Sequence, residues 1–375
     1  MKVRTLNIEA TPPYPIYLGK NLLISSQLAQ LCLKQKKRVA LLSDVRLSAT
    51  LACEIQNTLK QSGIEAEIFS VPSGEVNKTR ENKQHLEDLL FEKGYGRDSC
   101  FIALGGGMIT DLIGYLASTY CRGVPWIALP TTLLAMVDAS LGGKTGVNTP
   151  HGKNLIGTFY PPLAVIADVA SLKSLPKEEW RNGIVEMIKH ACIRDEKFFN
   201  QLETATETLF EDDEVLLHLI EWSCLIKKEI VEQDERESGM RELLNFGHTI
   251  GHVIESLEHY ELSHGEAVAI GMLVEAQLSL QVGLLSSAGF MRLLRLLKSY
   301  DLPLKTEIFH NKEKFLEQLK LDKKSKKSLP HFVLLKKIGE ACCEKMHFSF
   351  PVNSDLIERT LGWAQREFTQ WHLHY

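Results

Sequence analysis

Two histidines, His248 and His252, stand four residues apart in Asn245-Phe-Gly-His-Thr-Ile-Gly-His252, and a third, His264, follows in Ser263-His-Gly-Glu266. On a helix over about 242–258 the first two imidazoles leave one face a turn apart, and the third arrives after the turn around Glu261–Ser263. A neutral imidazole is a standard zinc ligand, and a catalytic zinc needs three protein ligands and one open position. The three histidines therefore read as a candidate cage for a divalent metal. A helix with solvent-facing histidines has the same spacing, but a glycine before each of the first two and carboxylates nearby do not describe a polar surface helix. A zinc protease fits poorly, because the catalytic Glu expected after the first His is Thr249.

Other charged groups sit in apolar or glycine-rich settings. Gly183-Ile-Val-Glu-Met-Ile-Lys-His190 puts Glu186 and Lys189 three apart on a helix face. An exposed pair of this kind is worth only about 0.2–0.5 kcal/mol, and the flanking Ile184, Val185, Met187 and Ile188 favour a site role over a solvated one. Lys227, Arg241 and Asn245 come just ahead of the histidines and suit a polyanionic, hydroxylated substrate. In the first half, Cys100-Phe-Ile-Ala-Leu-Gly-Gly-Gly-Met-Ile-Thr-Asp111 reads as a strand, a glycine turn and a helix start. Such a turn lets backbone N–H groups approach a pyrophosphate, although the Gly-x-Gly-x-x-Gly fingerprint is absent and a turn without a ligand stays open. Asp111 is either a helix-dipole partner or a ribose or amide ligand, and Glu75 and Lys78 alone are ordinary loop charges. Asp138, among apolar residues, is costly unless paired. Lys144 after Gly-Gly, and Lys153-Asn154 after Gly152, gather two ammonium groups and an amide in one loop system, as a phosphorylated or carboxylated substrate would need. Gly142-Gly-Lys-Thr145 echoes the end of a P-loop, but Asp138 stands where its first glycine should be, which excludes an NTPase.

These groups need elements to position them. Arg38–Ser43, Glu65–Val71, Cys100–Leu104 and Trp126–Leu129 read as buried strands, with Val165–Ala167 a further one, and Leu47–Gln61 and Glu81–Lys93 as helices. That alternation implies a mostly parallel sheet covered on both faces. From about Pro176, Glu178–Ile193, Glu214–Val231, Glu242–Glu258 and Glu266–Leu280 carry helical apolar spacing, with Phe332–Leu335 a minor strand and Asp355–Trp371 a closing helix. A boundary within Ser171–Lys177 gives an α/β domain over residues 1–172 and a helical domain over 173–375. The formal charge of −4 offers no general attraction to nucleic acid or an anionic membrane. Eight cysteines without a Cys-x-x-Cys suit free thiols in a reducing compartment. The N-terminus lacks an apolar signal core, and Val124–Gly142 is interrupted by Pro130 and Asp138 and too polar to span a bilayer. A cytoplasmic protein is expected.

Taken in order, Gly105-Gly-Gly-Met-Ile-Thr-Asp-Leu-Ile-Gly114, Pro130-Thr-Thr-Leu-Leu-Ala135, Gly142-Gly-Lys-Thr145 with Asn148, Gly152-Lys-Asn154, Leu244-Asn-Phe-Gly-His-Thr-Ile-Gly-His252 and His264-Gly-Glu-Ala-Val-Ala-Ile-Gly-Met272 resemble the 3-dehydroquinate synthase family of sugar phosphate cyclases. The resemblance runs from Ser73 to about Gly271 and is weaker at both termini and in Leu321-Asp-Lys-Lys324. It implies a Rossmann-like α/β domain that binds NAD, an all-α domain that binds a divalent metal (zinc or cobalt), and a homodimer. It replaces the three-histidine cage by Glu186, His248 and His264, with His252 turned toward the substrate phosphate. NAD contacts are implied at Asp44, Ser73, Gly74, Glu75, Lys78, Gly106, Gly107, Asp111, Thr131, Thr132, Lys153 and Ser174. Substrate contacts are implied at Asp138, Asn154, Lys189, Lys227, Arg241, Asn245 and His252, with Lys144 touching cofactor and substrate and Arg122 reaching in from a second subunit. The implied reaction converts 3-deoxy-D-arabino-heptulosonate 7-phosphate to 3-dehydroquinate and phosphate by transient oxidation, phosphate elimination, re-reduction and intramolecular aldol closure. Arg46, the loop Asn148-Thr-Pro-His-Gly152 and Val185-Glu-Met187 depart from the family's common forms, and either Lys323 or Lys324 is a candidate phosphate ligand. Cyclases acting on sedoheptulose 7-phosphate or glucose 6-phosphate are rivals, but those substrates lack the carboxylate that Lys227, Arg241 and Asn245 suit. A metal-dependent alcohol dehydrogenase would not need the lysines at 144, 153, 189 and 227.

Overall fold

The computed structural model describes residues 2–35, 37–258, 262–321 and 330–369. They group into two compact units, Met1–Pro176 with Leu216–Glu232, and Lys177–Val215 with Gln233–Tyr375.

The first unit is built on strands β1 (Arg4–Ile8), β2 (Tyr14–Gly19), β3 (Arg38–Asp44), β4 (Ala66–Val71), β5 (Ser99–Gly105), β6 (Trp126–Pro130), β7 (Lys144–Thr149), β8 (Gly152–Phe159) and β9 (Ala164–Asp168). Seven form one sheet in the order β1-β2-β9-β6-β5-β3-β4, parallel throughout except for β1 against β2. Every residue of β5, β6 and β9 is buried, which is why these segments read as continuous apolar runs without alternation. The helices of this unit are α1 (Ser26–Gln35), α2 (Val45–Ser48), α3 (Leu51–Gln61), α4 (Arg80–Glu92) and α5 (Gly107–Thr119). Ala52, Ile55 and Leu59 of α3, at helical spacing, join Leu28 and Cys32 of α1 against Leu41, Ile102 and Ile127 of the sheet.

All five expected strands form, each within a residue or two. The helix expected over Leu47–Gln61 is two, separated at Ala49–Thr50, and α4 begins where the Thr79 side chain accepts from Asn82 N. The hairpin of β1 and β2, helix α1 and the antiparallel hairpin of β7 and β8 were not expected.

The second unit contains α6 (Lys177–Arg194), α7 (Glu196–Thr204), α8 (Thr208–Glu211), the ends of α9 (Asp213–Gln233), α10 (His248–Leu257), α11 (His264–Gln281), α12 (Ser287–Ser299), α13 (Lys312–Leu321) and α14 (Ser354–Thr369). The middle of α9 belongs to the first unit, where Glu221 pairs with Arg4 at 2.7 Å. Helix α11 is buried continuously from Ala267 to Ala276, Glu275 included, as fits a helix covered on all sides. The helix expected over Glu242–Glu258 is broken. Residues Met240–Asn245 form a 3-10 turn, Gly247 turns left-handed at φ +82°, and α10 starts at His248. The strand expected over Phe332–Leu335 is two short pieces, His331–Phe332 paired with Phe350–Pro351 and Leu335–Lys337 paired with Glu340–Ala341. Helix α14 forms as expected up to Thr369; Trp371, and the lysines at 323 and 324, lie outside the described residues. No described helix is long and apolar enough to cross a membrane.

Candidate metal centre and nucleotide site

In the second unit, three helix segments bring one side chain each to a common point. Glu186 lies in the middle of α6, and His248 and His264 are the first residues of α10 and α11. Glycines allow these helices to meet. A Cβ on Gly271 would lie 2.0 Å from the Gly247 carbonyl oxygen, and one on Gly247 would lie 2.5 Å from Met272 Cγ, so α10 can reach α11 only with hydrogen at both places. Gly265 N donates to Asn182 Oδ1 at 2.8 Å, which ties the first turn of α11 to α6 one turn before Glu186. A capping box fixes the start of α11: Ser263 Oγ accepts from Glu266 N, and the Glu266 carboxylate accepts from Ser263 N at 2.9 Å.

Glu186 is fully buried, and its Oε1 lies 3.6 Å from His248 Nε2 and 3.4 Å from His264 Nε2. One ligand atom from each residue lies within 4.8 Å of the others. These separations are long for hydrogen bonds. They match ligand atoms around a shared tetrahedral cation, where two atoms each ~2.1 Å from the ion stand about 3.4 Å apart. The outer ring nitrogens are anchored: His248 Nδ1 lies 3.2 Å from Phe246 O, and His264 Nδ1 lies 3.2 Å from Glu255 Oε1. With Nδ1–H donating outward, each Nε2 presents its lone pair to the centre. Burial lowers the His264 pKa, but Glu255 and Glu186 more than offset it and raise it to about 10. The two carboxylates that draw a proton onto this ring would draw a divalent cation for the same reason, the cation taking the place of the Nε2 proton. The donor set fits a zinc-like ion.

Several expected substrate residues lie in the same unit. Lys189 forms an ion pair with the Glu186 Oε2, and both side chains are buried rather than solvated. Arg241 is 1% exposed, with Nη1 donating to Glu235 O at 2.6 Å. Its loop is organised by Asp234, whose carboxylate accepts from Ser238 N, Gly239 N and Arg241 N at 2.7–3.0 Å. Burial would raise the Asp234 pKa, but these bonds hold it below the usual carboxylate range. Asn245 Nδ2 donates to Glu237 Oε1 at 3.3 Å. The His252 ring centroid is 5.2 Å from that of His248, one helical turn on and half-buried.

The first unit has its own cluster. Helix α5 has Gly106 as its N-cap and no side-chain cap, which leaves the amides of Gly107 and Met108 for an outside acceptor, and a Cβ on Gly106 would meet Thr132 Cγ2 at 3.0 Å. Thr131 is buried, its N donating to Gly105 O, and Thr132 Oγ1 accepts from Ala135 N. Lys78 is buried and joins three segments: it pairs with Asp111 of α5 and donates to Asn154 Oδ1 of β8 at 2.6 Å. Burial lowers the Lys78 pKa, but Asp111 and Glu75 raise it further, so the ammonium persists. Glu75 accepts from Asn148 Nδ2 at 2.8 Å, and Asn148 N donates to Lys78 O. Asp44, at the end of β3, accepts from Ser73 Oγ at 3.1 Å, and Gly74 beside it is left-handed at φ +99°. The uncompensated charge feared at Asp138 is answered by Lys227, whose Nζ donates to Asp138 Oδ1 at 2.6 Å and to Asp138 O at 2.5 Å. Asp138 sits in a π-helical turn, Ala135–Ala139, of the kind frequent at functional sites.

Not all expected neighbours meet. The β7–β8 hairpin pairs Lys144 with Phe159 and Thr149 with Gly152, so Lys144 stands at its base and Lys153 near its tip. They are separated by roughly 13 Å of strand. Their grouping in one loop system is corrected: the glycine-flanked segments are strands. Ser174 lies exposed at the end of the 3-10 segment Val169–Ser174. Arg122 follows Cys121 and precedes Gly123 in a run of three left-handed residues at φ 51°, 71° and 114°.

Two residues of the metal centre were not anticipated, Glu255 and Asn182. Glu255 carries a signal in retrospect, as an acid two turns after His248 on the face that also carries His252; it is 2% exposed. Asn182 carries none.

A family model described as 3-dehydroquinate synthase N-terminal matches residues 68–182, and one described as 3-dehydroquinate synthase C-terminal matches residues 183–325. A 3-dehydroquinate synthase of Desulforamulus reducens is 42% identical over 331 residues, covering 87% of this chain and 92% of its own. One of Nitrosospira multiformis is 42% identical over 346 residues, covering 91% and 94%. Among solved structures, a 2-epi-5-epi-valiolone synthase from Streptomyces hygroscopicus subsp. jinggangensis, with NAD+ and Zn2+ bound, superposes with a TM-score of 0.86 at 27% identity, covering 98% of this chain and 100% of that one.

Proposed function

The chain belongs to the 3-dehydroquinate synthase family, and from that premise we propose that it converts 3-deoxy-D-arabino-heptulosonate 7-phosphate to 3-dehydroquinate and phosphate. The observation that carries the reading is the meeting of Glu186, His248 and His264 within 4.8 Å, on a chain whose relatives carry this name over most of their length. When bound, NAD supplies a hydride acceptor that is regenerated in each turnover, and the metal a Lewis acid for the substrate hydroxyls. The net change is loss of phosphate and ring closure without net redox, a carbon–oxygen lyase reaction.

The residues divide the remaining tasks. Glu186, His248 and His264 hold the ion, and Glu255 keeps His264 in the tautomer that ligates. Gly106, Gly107 and the first amides of α5 take the pyrophosphate, with Asp111 and Lys78 bracing the adjoining loop. Arg241, buried and fixed at Glu235 O, offers a planar fork to the substrate carboxylate, with Asn245 beside it on the same turn. Lys189 and Lys227, each paired with a carboxylate, orient anionic oxygens, and His252 serves the phosphate end. Much of the acceleration is positional, where pre-alignment supplies about 7–11 kcal/mol. Arg122 is assigned to the neighbouring active site of a homodimer. Eight free cysteines fit a cytoplasmic setting.

The test is phosphate release from the heptulosonate followed together with absorbance at the NADH band. Phosphate without net absorbance change is expected. Stoichiometric NADH would instead identify a dehydrogenase, and preference for sedoheptulose 7-phosphate or glucose 6-phosphate a different cyclase.

A further inference from the structure

The end of β3 carries an arrangement that bears on cofactor choice. Strands β3 and β5 are adjacent and parallel, with Ser43 opposite Leu104, so Asp44 lies beside the glycine turn that starts at Gly105. In dinucleotide sites, an acid at the strand end next to the glycine turn accepts from the adenosine ribose hydroxyls, whereas an arginine there takes a 2′-phosphate. This chain has both within two residues. Asp44 is 3% exposed, and both its oxygens are engaged. Oδ1 accepts from Arg46 N at 2.8 Å, Arg46 Nε at 3.3 Å and Ser73 Oγ at 3.1 Å, and Oδ2 accepts from Arg46 Nη2 at 3.1 Å. The Arg46 side chain is 65% exposed, so the guanidinium lies over the acid at the open side of the strand end.

Two consequences follow for a bound nucleotide. A ribose diol must displace the arginine from Asp44 to reach its carboxylate. A 2′-phosphate meets a guanidinium whose bidentate geometry suits it, above an acid whose charge is already balanced. We propose that Arg46 makes the adenosine end of this site a dual pocket, which accepts the 2′-phosphate of NADP as well as the diol of NAD. The inference rests on the nucleotide site described above and adds a specificity-determining residue to it.

The experiment is titration of the full-length protein with NADH and with NADPH, followed by nucleotide fluorescence, for wild type, Arg46→Asn and Asp44→Asn. Wild type should bind NADPH within about tenfold of NADH. Arg46→Asn should weaken NADPH roughly ten- to hundredfold, the worth of a charge-assisted hydrogen-bonded pair, and leave NADH unchanged or tighter. Asp44→Asn should weaken NADH and spare NADPH. High salt should weaken NADPH more than NADH in wild type only. An NADPH-to-NADH affinity ratio that ignores position 46, with NADH still bound, overturns the dual pocket alone. Failure of both nucleotides to bind overturns the nucleotide site and the inference with it.

Discussion

Glu186 faces competing demands: Lys189 holds one carboxylate oxygen while two imidazoles approach the other. A buried carboxylate so placed is stable only if the positive charge around it persists, so Lys189 and the proposed ion would be two parts of one balance. Glu255→Gln keeps the shape beside His264 Nδ1 but removes the charge, and a loss of metal affinity of about 10–100-fold is expected from the general cost of such changes. Dialysis against a chelator series, with metal counted at each step, measures it. Arg241→Lys loses the fork while keeping the charge, and should raise KM for the heptulosonate with a smaller effect on kcat; unchanged kinetics would remove Arg241 from the carboxylate. At this scale the sequence was partly legible. His248 and His264 stand in a recognisable spacing, but residue types alone suggested His252 as their companion. The acid that completes the cage lies on a separate helix, and only the family resemblance pointed to it.

Between elements, the decisive contact is that of α10 with α11 through Gly247 and Gly271. Gly271→Ala places a methyl 2.0 Å from a carbonyl oxygen, with backbone and not a flexible side chain in its way. Overpacking of this kind costs ~1–3 kcal/mol, and thermal unfolding should fall accordingly, together with metal affinity, since His248 moves with α10. The Asp234 loop gives a pH prediction. Its carboxyl pKa is lower folded than unfolded, so its stabilisation is complete above about pH 4 and is lost as pH falls through the folded value. Asp234→Asn should flatten that acid limb in denaturant titrations between neutral and low pH. Strand–helix alternation in the first unit was readable because buried parallel strands are apolar and short. The β7–β8 hairpin was hidden by Gly146, Gly157, Lys144, Lys153 and Asn154, residues that read as loop. The break at Gly247 was hidden because a left-handed glycine is dictated by Met272 and Val268, distant in sequence.

For the molecule as a whole, the periodicity of α9 gave no sign that its middle groups with the α/β unit while its ends group with the helical one. Helical spacing reports which face is apolar, not which neighbour covers it. A ligand held only by the folded state raises stability by mass action, about 2.7 kcal/mol at a hundred times its dissociation constant. Zinc should therefore raise the unfolding midpoint of the wild type, and a chelator should reverse the shift. The central claim, that side chains from three helices hold one cation, is tested most directly by elemental analysis of purified wild type, Glu186→Ala and His264→Ala after equal dialysis. One divalent ion per wild-type chain and little in either variant is the expected result; full occupancy in both variants would contradict it.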